Sequence, residues 1–247
     1  MKDVLGQALT DYHLDRRSVG KLWVHNKYGP KEEMPVDVYF REAANMPELE
    51  WVALQQCKGR ILDIGAGAGS HALVLQRMGL DVTALDISPL AAAVMKDRGV
   101  EKILLQDFFM LDEGDAVSGS DDPGGGLWPD GGFDTLLLLM NGIGLSGTLD
   151  GLRLFLAKAR RLLRPGGRLI FDSSDIAYLY EGKIPAGKNY YGEILYQYEY
   201  KKERSDWFHW LFIDRKTLAE TAGREGWATE VLFEDEWDQY LVKCELR

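Results

Sequence analysis

Cysteine is scarce in this chain: Cys57 and Cys244 are the only two in 247 residues. Two thiols without metal-ligand spacing exclude a disulfide-stapled scaffold and a cysteine metal site, and a reducing cytoplasm suits them. Long apolar runs are missing too, so no membrane-spanning helix is expected. The opening stretch, MKDVLGQALTDYHLDRR, carries charge throughout and lacks the apolar core of a signal peptide. Positive charge is in short supply: 29 Lys and Arg face 39 Asp and Glu, a formal net charge of -10. That balance argues against a broad phosphate-binding surface and so against a nucleic-acid partner. What remains is a soluble cytoplasmic chain, long enough for one α/β domain with embellishments.

The rest of the chain is organised around Arg60 to Met78, RILDIGAGAGSHALVLQRM. Ile61, Leu62 and Ile64 make the apolar run of a strand buried on both faces of a parallel sheet. Gly65, Gly67 and Gly69 follow at alternate positions, where the absence of Cβ allows unusual backbone angles and close approach of a ligand. Ala72, Leu73, Leu75 and Met78 then run at helical spacing, with Ser70 expected to cap the helix start. The amides of that start offer donors to a carboxylate or phosphate. A tight turn without a ligand is the bland alternative.

Ahead of this stretch, residues before Gln55 read as helical pieces broken by Gly29-Pro30, Pro35 and Pro47. Tyr39, Phe40 and Arg41 either line a pocket entrance or pack as a helix face. After it, Asp81 to Ile87 is a strand ending in Asp86, Ser88-Pro89 opens a helix to Arg98, and Glu101 to Phe108 is a third strand. Strand and helix in alternation are half of a doubly wound parallel sheet. Residues 112–132 are acidic and glycine-rich, an inserted surface loop or a lid. Phe133 to Met140 is the most apolar strand and ends in Asn141-Gly142-Ile143-Gly144. Leu149 to Leu163 is a helix stopped by Arg164-Pro165-Gly166-Gly167, and Arg168 to Phe171 begins a fifth strand. Residues 191–213 form an aromatic hairpin. A helix capped by Asp214 and two last strands, Thr229 to Glu234 and Tyr240 to Leu246, complete the chain.

In such a sheet, ligands bind beyond the carboxyl ends of the strands. Those ends are Gly65, Asp86, Gln106-Asp107 and Asn141. Asp86 lies at the interval after the glycine loop where a carboxylate accepts from ribose hydroxyls, and Asp107 is placed to read an adenine amino group. A dinucleotide loop wants glycine at its first, third and sixth positions, but the sixth here is Ser70. Asp63, inside the strand, suits a ligand carrying an ammonium and a sulfonium better than one carrying pyrophosphate.

LDIGAGAG, ALDIS, QDF, FDTLLLLMNGIG and LLRPGGRLIF follow in order, and together they resemble the motifs of the class I S-adenosylmethionine-dependent methyltransferases over Lys58 to Asp172. The resemblance implies an α/β, Rossmann-like, mostly parallel seven-stranded sheet with an antiparallel C-terminal strand, plus the added antiparallel hairpin. It divides the chain into an N-terminal helical cap, 1–54, and a methyltransferase domain, 55–247. It implies S-adenosyl-L-methionine as cofactor, with Asp63, Gly65, Ala66, Gly67 and Gly69 around its amino-acid end. His71 and Arg41 are candidates for its carboxylate. Asp86 would hold the ribose, with Ile87 beside the adenine. Gln106, Asp107 and Phe108 would flank the base, and Met140 and Asn141 would lie near the sulfonium. Tyr39, Asn141, Gly144 and Tyr191 are expected to touch the substrate. The Asn/Asp-Pro-Pro-aromatic run of amino-methylating relatives is absent, since Gly142 follows Asn141.

The cofactor carries most of this chemistry, and the protein aligns a nucleophile in line with the methyl group and excludes water. Asp172, Asp175, Glu193 and Tyr191 are candidate bases, with none assigned. Tyr196, Tyr198 and Tyr200 alternate onto one face, as an aromatic wall, a dimer surface or plain packing. A small-molecule acceptor is expected; an NAD(P)-dependent oxidoreductase and a non-catalytic S-adenosylmethionine-binding protein are the alternatives.

Overall fold

The computed structural model describes residues 2–17, 19–111, 132–180 and 189–247. Of the expected insertion 112–132, all but Gly132 lies outside the described residues. The helices are α1 (Val4–Leu14), α2 (Glu48–Gln56), α3 (Ser70–Arg77), α4 (Pro89–Arg98), α5 (Leu149–Leu162) and α6 (Arg215–Arg224). The first strands are β1 (Leu22–Asn26), β2 (Glu32–Met34), β3 (Arg60–Ile64), β4 (Asp81–Asp86), β5 (Lys102–Leu105) and β6 (Phe133–Leu138). Those following are β7 (Leu163–Ser174), β8 (Glu193–Tyr200), β9 (Glu203–Arg204), β10 (Phe208–Leu211), β11 (Trp227–Glu234) and β12 (Gln239–Leu246).

Seven strands form one sheet in the order β11-β12-β7-β6-β3-β4-β5. β4 with β5 and β6 with β7 pair in parallel, while β12 runs antiparallel to both β7 and β11. This is the doubly wound, mostly parallel architecture with an antiparallel end. No helix among the described residues is long and apolar enough to cross a membrane.

The chain divides into two compact units. The first comprises residues 1–46, 62–129 and 195–208. In it, α1 packs on α4, and Val4, Leu9, Leu22, Phe40, Val94 and Tyr200 share one core. The N-terminal stretch is not helical throughout. Leu22 and Val24 alternate inward, and Asn26 Oδ1 closes the following turn by accepting from the Tyr28 and Gly29 amides at 2.8 and 2.6 Å. Leu22–Asn26 therefore forms a strand, and β8 completes it by pairing antiparallel, Leu22 opposite Tyr200 and Val24 opposite Tyr198. Such pairing partners lie far away in sequence, and tertiary context overrides the local pattern. The aromatic strand β8 thus belongs to a second sheet, ordered β10-β8-β1-β2 with β9 on β8, and not to the seven-stranded one.

The second unit comprises residues 47–61, 130–194 and 209–247. Thr148 caps α5 by accepting from the Gly151 amide, and Asp214 caps α6 by accepting from the Thr217 amide. β7 starts earlier than Pro165-Gly166 suggests. Phe133 pairs with Leu163 and Thr135 with Arg168, so the Pro-Gly-Gly segment is accommodated as a register shift within the strand.

Candidate functional site

The turn between β3 and α3 has three left-handed glycines, Gly65, Gly67 and Gly69, at φ 73°, 56° and 79°. Side-chain-bearing residues rarely adopt such angles, which explains glycine at alternate positions. The Gly65 and Ala66 amides both donate to Leu85 O, at 2.8 and 3.0 Å, and the Gly67 amide donates to Asp86 Oδ2 at 2.8 Å. The loop and the end of β4 are therefore one hydrogen-bonded piece. Gly69, not Ser70, occupies the cap position of α3. Ser70 Oγ instead donates to Tyr39 O at 2.7 Å. A serine one residue inside the helix is better placed to reach a neighbouring segment than its own amides.

Asp63 is 2% exposed, and its Oδ2 has no hydrogen-bond partner. Burial pushes its carboxyl up to about 6; His71 and the Ala72 amide oppose that shift and the charge of Asp86 adds to it. His71 is buried, not a surface histidine of the helix. Asp86 is half-buried, and its two oxygens accept from the Gly67 and Ser88 amides, each at 2.8 Å. Burial raises its carboxyl too. Each carboxylate oxygen has two lone-pair directions, so Asp86 keeps acceptor capacity for hydroxyls. Next to it Ile87 is 64% exposed, an apolar surface at the strand end. At the end of β5, Gln106 Oε1 accepts from the Asp107 amide at 3.0 Å and Asp107 Oδ1 from the Phe109 amide at 2.8 Å. Phe108 is buried.

Tyr39 lies in the 3-10 turn Val36–Phe40. Its ring covers the glycine loop so closely that a Cβ on Gly67 would fall 3.2 Å from Tyr39 Cδ1. Its hydroxyl pairs with that of Tyr198, and burial pushes the Tyr39 hydroxyl up to about 12. Arg41 ends the same turn and is half-buried. Tyr198 and Tyr200 are packing residues rather than an open wall. The Tyr198 ring packs tilted on Phe208 with centres 5.1 Å apart, and the Tyr200 hydroxyl donates to Asp11 Oδ2 at 2.9 Å and accepts from the Gly20 amide at 3.1 Å. Two residues unmarked by the sequence reading belong here. Asp3 accepts from the Gly6 amide and from Ser88 Oγ, tying α1 to the start of α4. Arg98 donates to Ala68 O. The capping signature of Asp3 was readable; its second partner was not.

The second unit has its own polar group. Met140 and Asn141 are both left-handed, at φ 64° and 55°, a conformation that costs energy without glycine. Asp172, 0% exposed, offsets that cost. Its oxygens accept from the Asn141 amide at 2.9 and 2.8 Å, and Oδ2 also accepts from Gln239 Nε2 at 3.0 Å. Asn141 Nδ2 donates to Leu211 O at 3.2 Å, which leaves its buried Oδ1 unpartnered. Gly144 serves Trp210: a Cβ there would lie 2.1 Å from Trp210 Nε1. Tyr191 donates to Asp175 Oδ1 at 2.6 Å and packs between Tyr190 and Tyr180, at 4.5 and 6.0 Å. Glu193 Oε1 accepts from the Leu149 amide at 2.9 Å. The carboxylates considered as bases are thus each engaged in holding backbone or a tyrosine.

Chemically, the first unit offers a buried and a half-buried acid around a glycine loop: Asp63 with an oxygen awaiting a donor, and Asp86 with spare lone pairs. That set suits an ammonium group and a ribose, and it disfavours a pyrophosphate. Among the described residues, no group of three or more His, Cys, Asp or Glu is placed to hold a metal ion.

Comparison with known proteins agrees with this chemistry. Residues 62–171 match the sequence model of a methyltransferase domain. The crystal structure of an S-adenosylmethionine-dependent methyltransferase from Bacteroides fragilis, in complex with S-adenosyl-L-homocysteine, is 39% identical in sequence. It superposes with a TM-score of 0.85, covering 99% of this chain and 95% of that one. The demethylmenaquinone methyltransferase of Tropheryma whipplei (strain Twist) is 31% identical over 110 residues, 44% of this chain. The chain spans 39% of the length of that curated relative. The CcbJ methyltransferase of Streptomyces caelestis, at 14% identity and a TM-score of 0.59, covers 87% of this chain and 100% of its own and shares the fold.

Proposed function

The chain belongs to the S-adenosylmethionine-dependent methyltransferases, and from that premise we propose that it methylates a small-molecule acceptor. The observation that carries the reading is the unpartnered, buried Oδ2 of Asp63 beside a loop bonded to Asp86. In this reading Asp63 accepts from the ammonium of S-adenosyl-L-methionine, and Asp86 accepts from the ribose hydroxyls while still holding the Gly67 amide. Ile87 covers the adenine, and Asp107 takes its amino group. When bound, that cofactor supplies a methyl group made electrophilic by its sulfonium. The protein's part is alignment and exclusion of water. Within the second unit, Asp172 fixes the backbone of Asn141, whose Nδ2 donates to Leu211 O. None of Asp172, Asp175 or Glu193 is assigned as a base, because each is already engaged.

A small acceptor, rather than nucleic acid, is supported by the net charge of -10. Two buried cysteines that are not joined in a disulfide support a cytoplasmic setting. Titration calorimetry tests the cofactor assignment. S-adenosyl-L-homocysteine is expected to bind saturably and NAD not at all, and Asp86→Ala is expected to abolish binding in a folded protein. Absence of S-adenosyl-L-homocysteine binding to the folded wild type would remove the assignment. With binding in hand, labelled S-adenosyl-L-methionine and a panel of small acceptors, demethylmenaquinone among them, identify the substrate.

A further inference from the structure

Arg98 lies in the last turn of α4, where an arginine ordinarily reaches its own helix's last carbonyls or solvent. Here the guanidinium turns inward. Nη1 donates to Ala68 O at 2.5 Å and to Ser70 Oγ at 3.2 Å, and the group lies 4.9 Å from the centre of the Phe40 ring. Phe40 is itself backed by Tyr12 of α1, with ring centres 4.6 Å apart. Burial lowers the pKa of Arg98, Glu42 opposes that shift, and Arg16 and Arg77 add to it; an arginine stays charged regardless. One side chain therefore joins α4, the 3-10 turn and the glycine loop.

The bond to Ala68 O matters because of its place in the chain. It immobilises the peptide between Ala68 and Gly69, the flexible link between two left-handed glycines. On the other side of that link the Gly67 amide is bonded to Asp86. A loop of alternating glycines has little intrinsic preference for one set of backbone angles, so something outside it must choose. Ser70, tied to Tyr39 O, fixes the far end.

We propose that Arg98 is a cofactor-positioning residue: by pinning the Ala68 carbonyl it holds Gly67 to Gly69 in the geometry that keeps the Gly67 amide on Asp86. It acts through the loop and does not touch the ligand. The inference rests on the cofactor reading above, and it predicts order in the ligand-free loop as well.

Two variants and two measurements test it. Arg98→Met keeps the apolar stem against Phe40 and removes the donors; Arg98→Lys restores a charged donor without the fork. Amide hydrogen exchange is followed in ligand-free protein over residues 62–72, with α5 as an internal reference. S-adenosyl-L-homocysteine affinity is measured by calorimetry. Arg98→Met is expected to accelerate exchange in 62–72 and weaken binding, each by about tenfold, with α5 unchanged. Arg98→Lys is expected to recover part of both. Unchanged exchange and affinity overturn the proposal. Acceleration throughout the molecule with a lower melting temperature overturns it too, since Arg98 would then be ordinary packing. If the wild type itself fails to bind, the cofactor reading falls, while exchange in 62–72 still decides the role of Arg98.

Discussion

Asp63 is placed where a carboxylate is expensive, and the expense is measurable through pH. Its folded-state carboxyl sits at about 6, above the ordinary 3.8, chiefly through burial. A raised carboxyl contributes stability that is complete below about 3.8 and lost as pH rises through about 6. Ligand-free Asp63→Asn is therefore expected to be more stable than wild type at pH 7, by up to about 3 kcal/mol, with the gain vanishing towards pH 4. Cofactor binding reverses the sign, because an ammonium favours the ionised form. Wild-type affinity for S-adenosyl-L-homocysteine should rise between pH 5 and 7. Asp63→Asn should bind more weakly at pH 7 and show no such rise. Equal melting temperatures for variant and wild type at pH 7 would count against the buried carboxylate. Asp63 and Asp86 were legible in the sequence because a lone acid inside or ending an apolar run is conspicuous. Arg98 was not, since its partner at Ala68 is thirty residues away and nothing local marks the pairing.

At the scale of elements, the caps of two helices are bonded to each other. Asp3 Oδ1 accepts from the Gly6 amide at 2.9 Å in the first turn of α1, and Oδ2 accepts from Ser88 Oγ at 2.6 Å. Ser88 Oγ in turn accepts from the Ala91 amide at 2.8 Å, so the caps of α1 and α4 form one chain of bonds. Gly6 is required at this approach, because a Cβ there would fall 2.5 Å from both Asp3 oxygens and from Ser88 Oγ. Asp3→Ala is expected to lower stability by about 1–2 kcal/mol, seen as a lower urea midpoint at unchanged slope. A midpoint equal to wild type would show that α1 is held by its apolar face alone. The elements themselves were mostly readable: the α4 start at Ser88-Pro89 and the Asp214 cap stand where their residue types indicate. β1 and β2 were not readable, because a short strand with two inward residues becomes a strand only when Tyr198 and Tyr200 lie opposite it.

The molecule as a whole is an anion, and the two forms of the cofactor differ in charge. S-adenosyl-L-methionine carries an ammonium, a carboxylate and a sulfonium, whereas S-adenosyl-L-homocysteine has lost the sulfonium. A net charge of -10 favours the ligand with the extra positive charge, and it does so over distances that salt screens. The alternation of strands and helices and the glycine loop followed from periodicity and glycine spacing, because both are local patterns repeated along the chain, whereas the seven-stranded sheet followed from the family resemblance. The second sheet and the bracing of the loop did not, because they are made by residues distant in sequence. The field is a third kind of property, a sum over all residues that needs no fold to be read. Its consequence is testable without knowing the acceptor. Raising the ionic strength from about 0.01 M to about 0.15 M shortens the screening length from about 30 Å to about 8 Å. Binding of S-adenosyl-L-methionine should weaken by a few-fold across that range while S-adenosyl-L-homocysteine stays nearly constant. Parallel salt dependence of the two ligands would mean that the sulfonium senses only its immediate neighbours, and that the acidic surface serves solubility rather than cofactor capture.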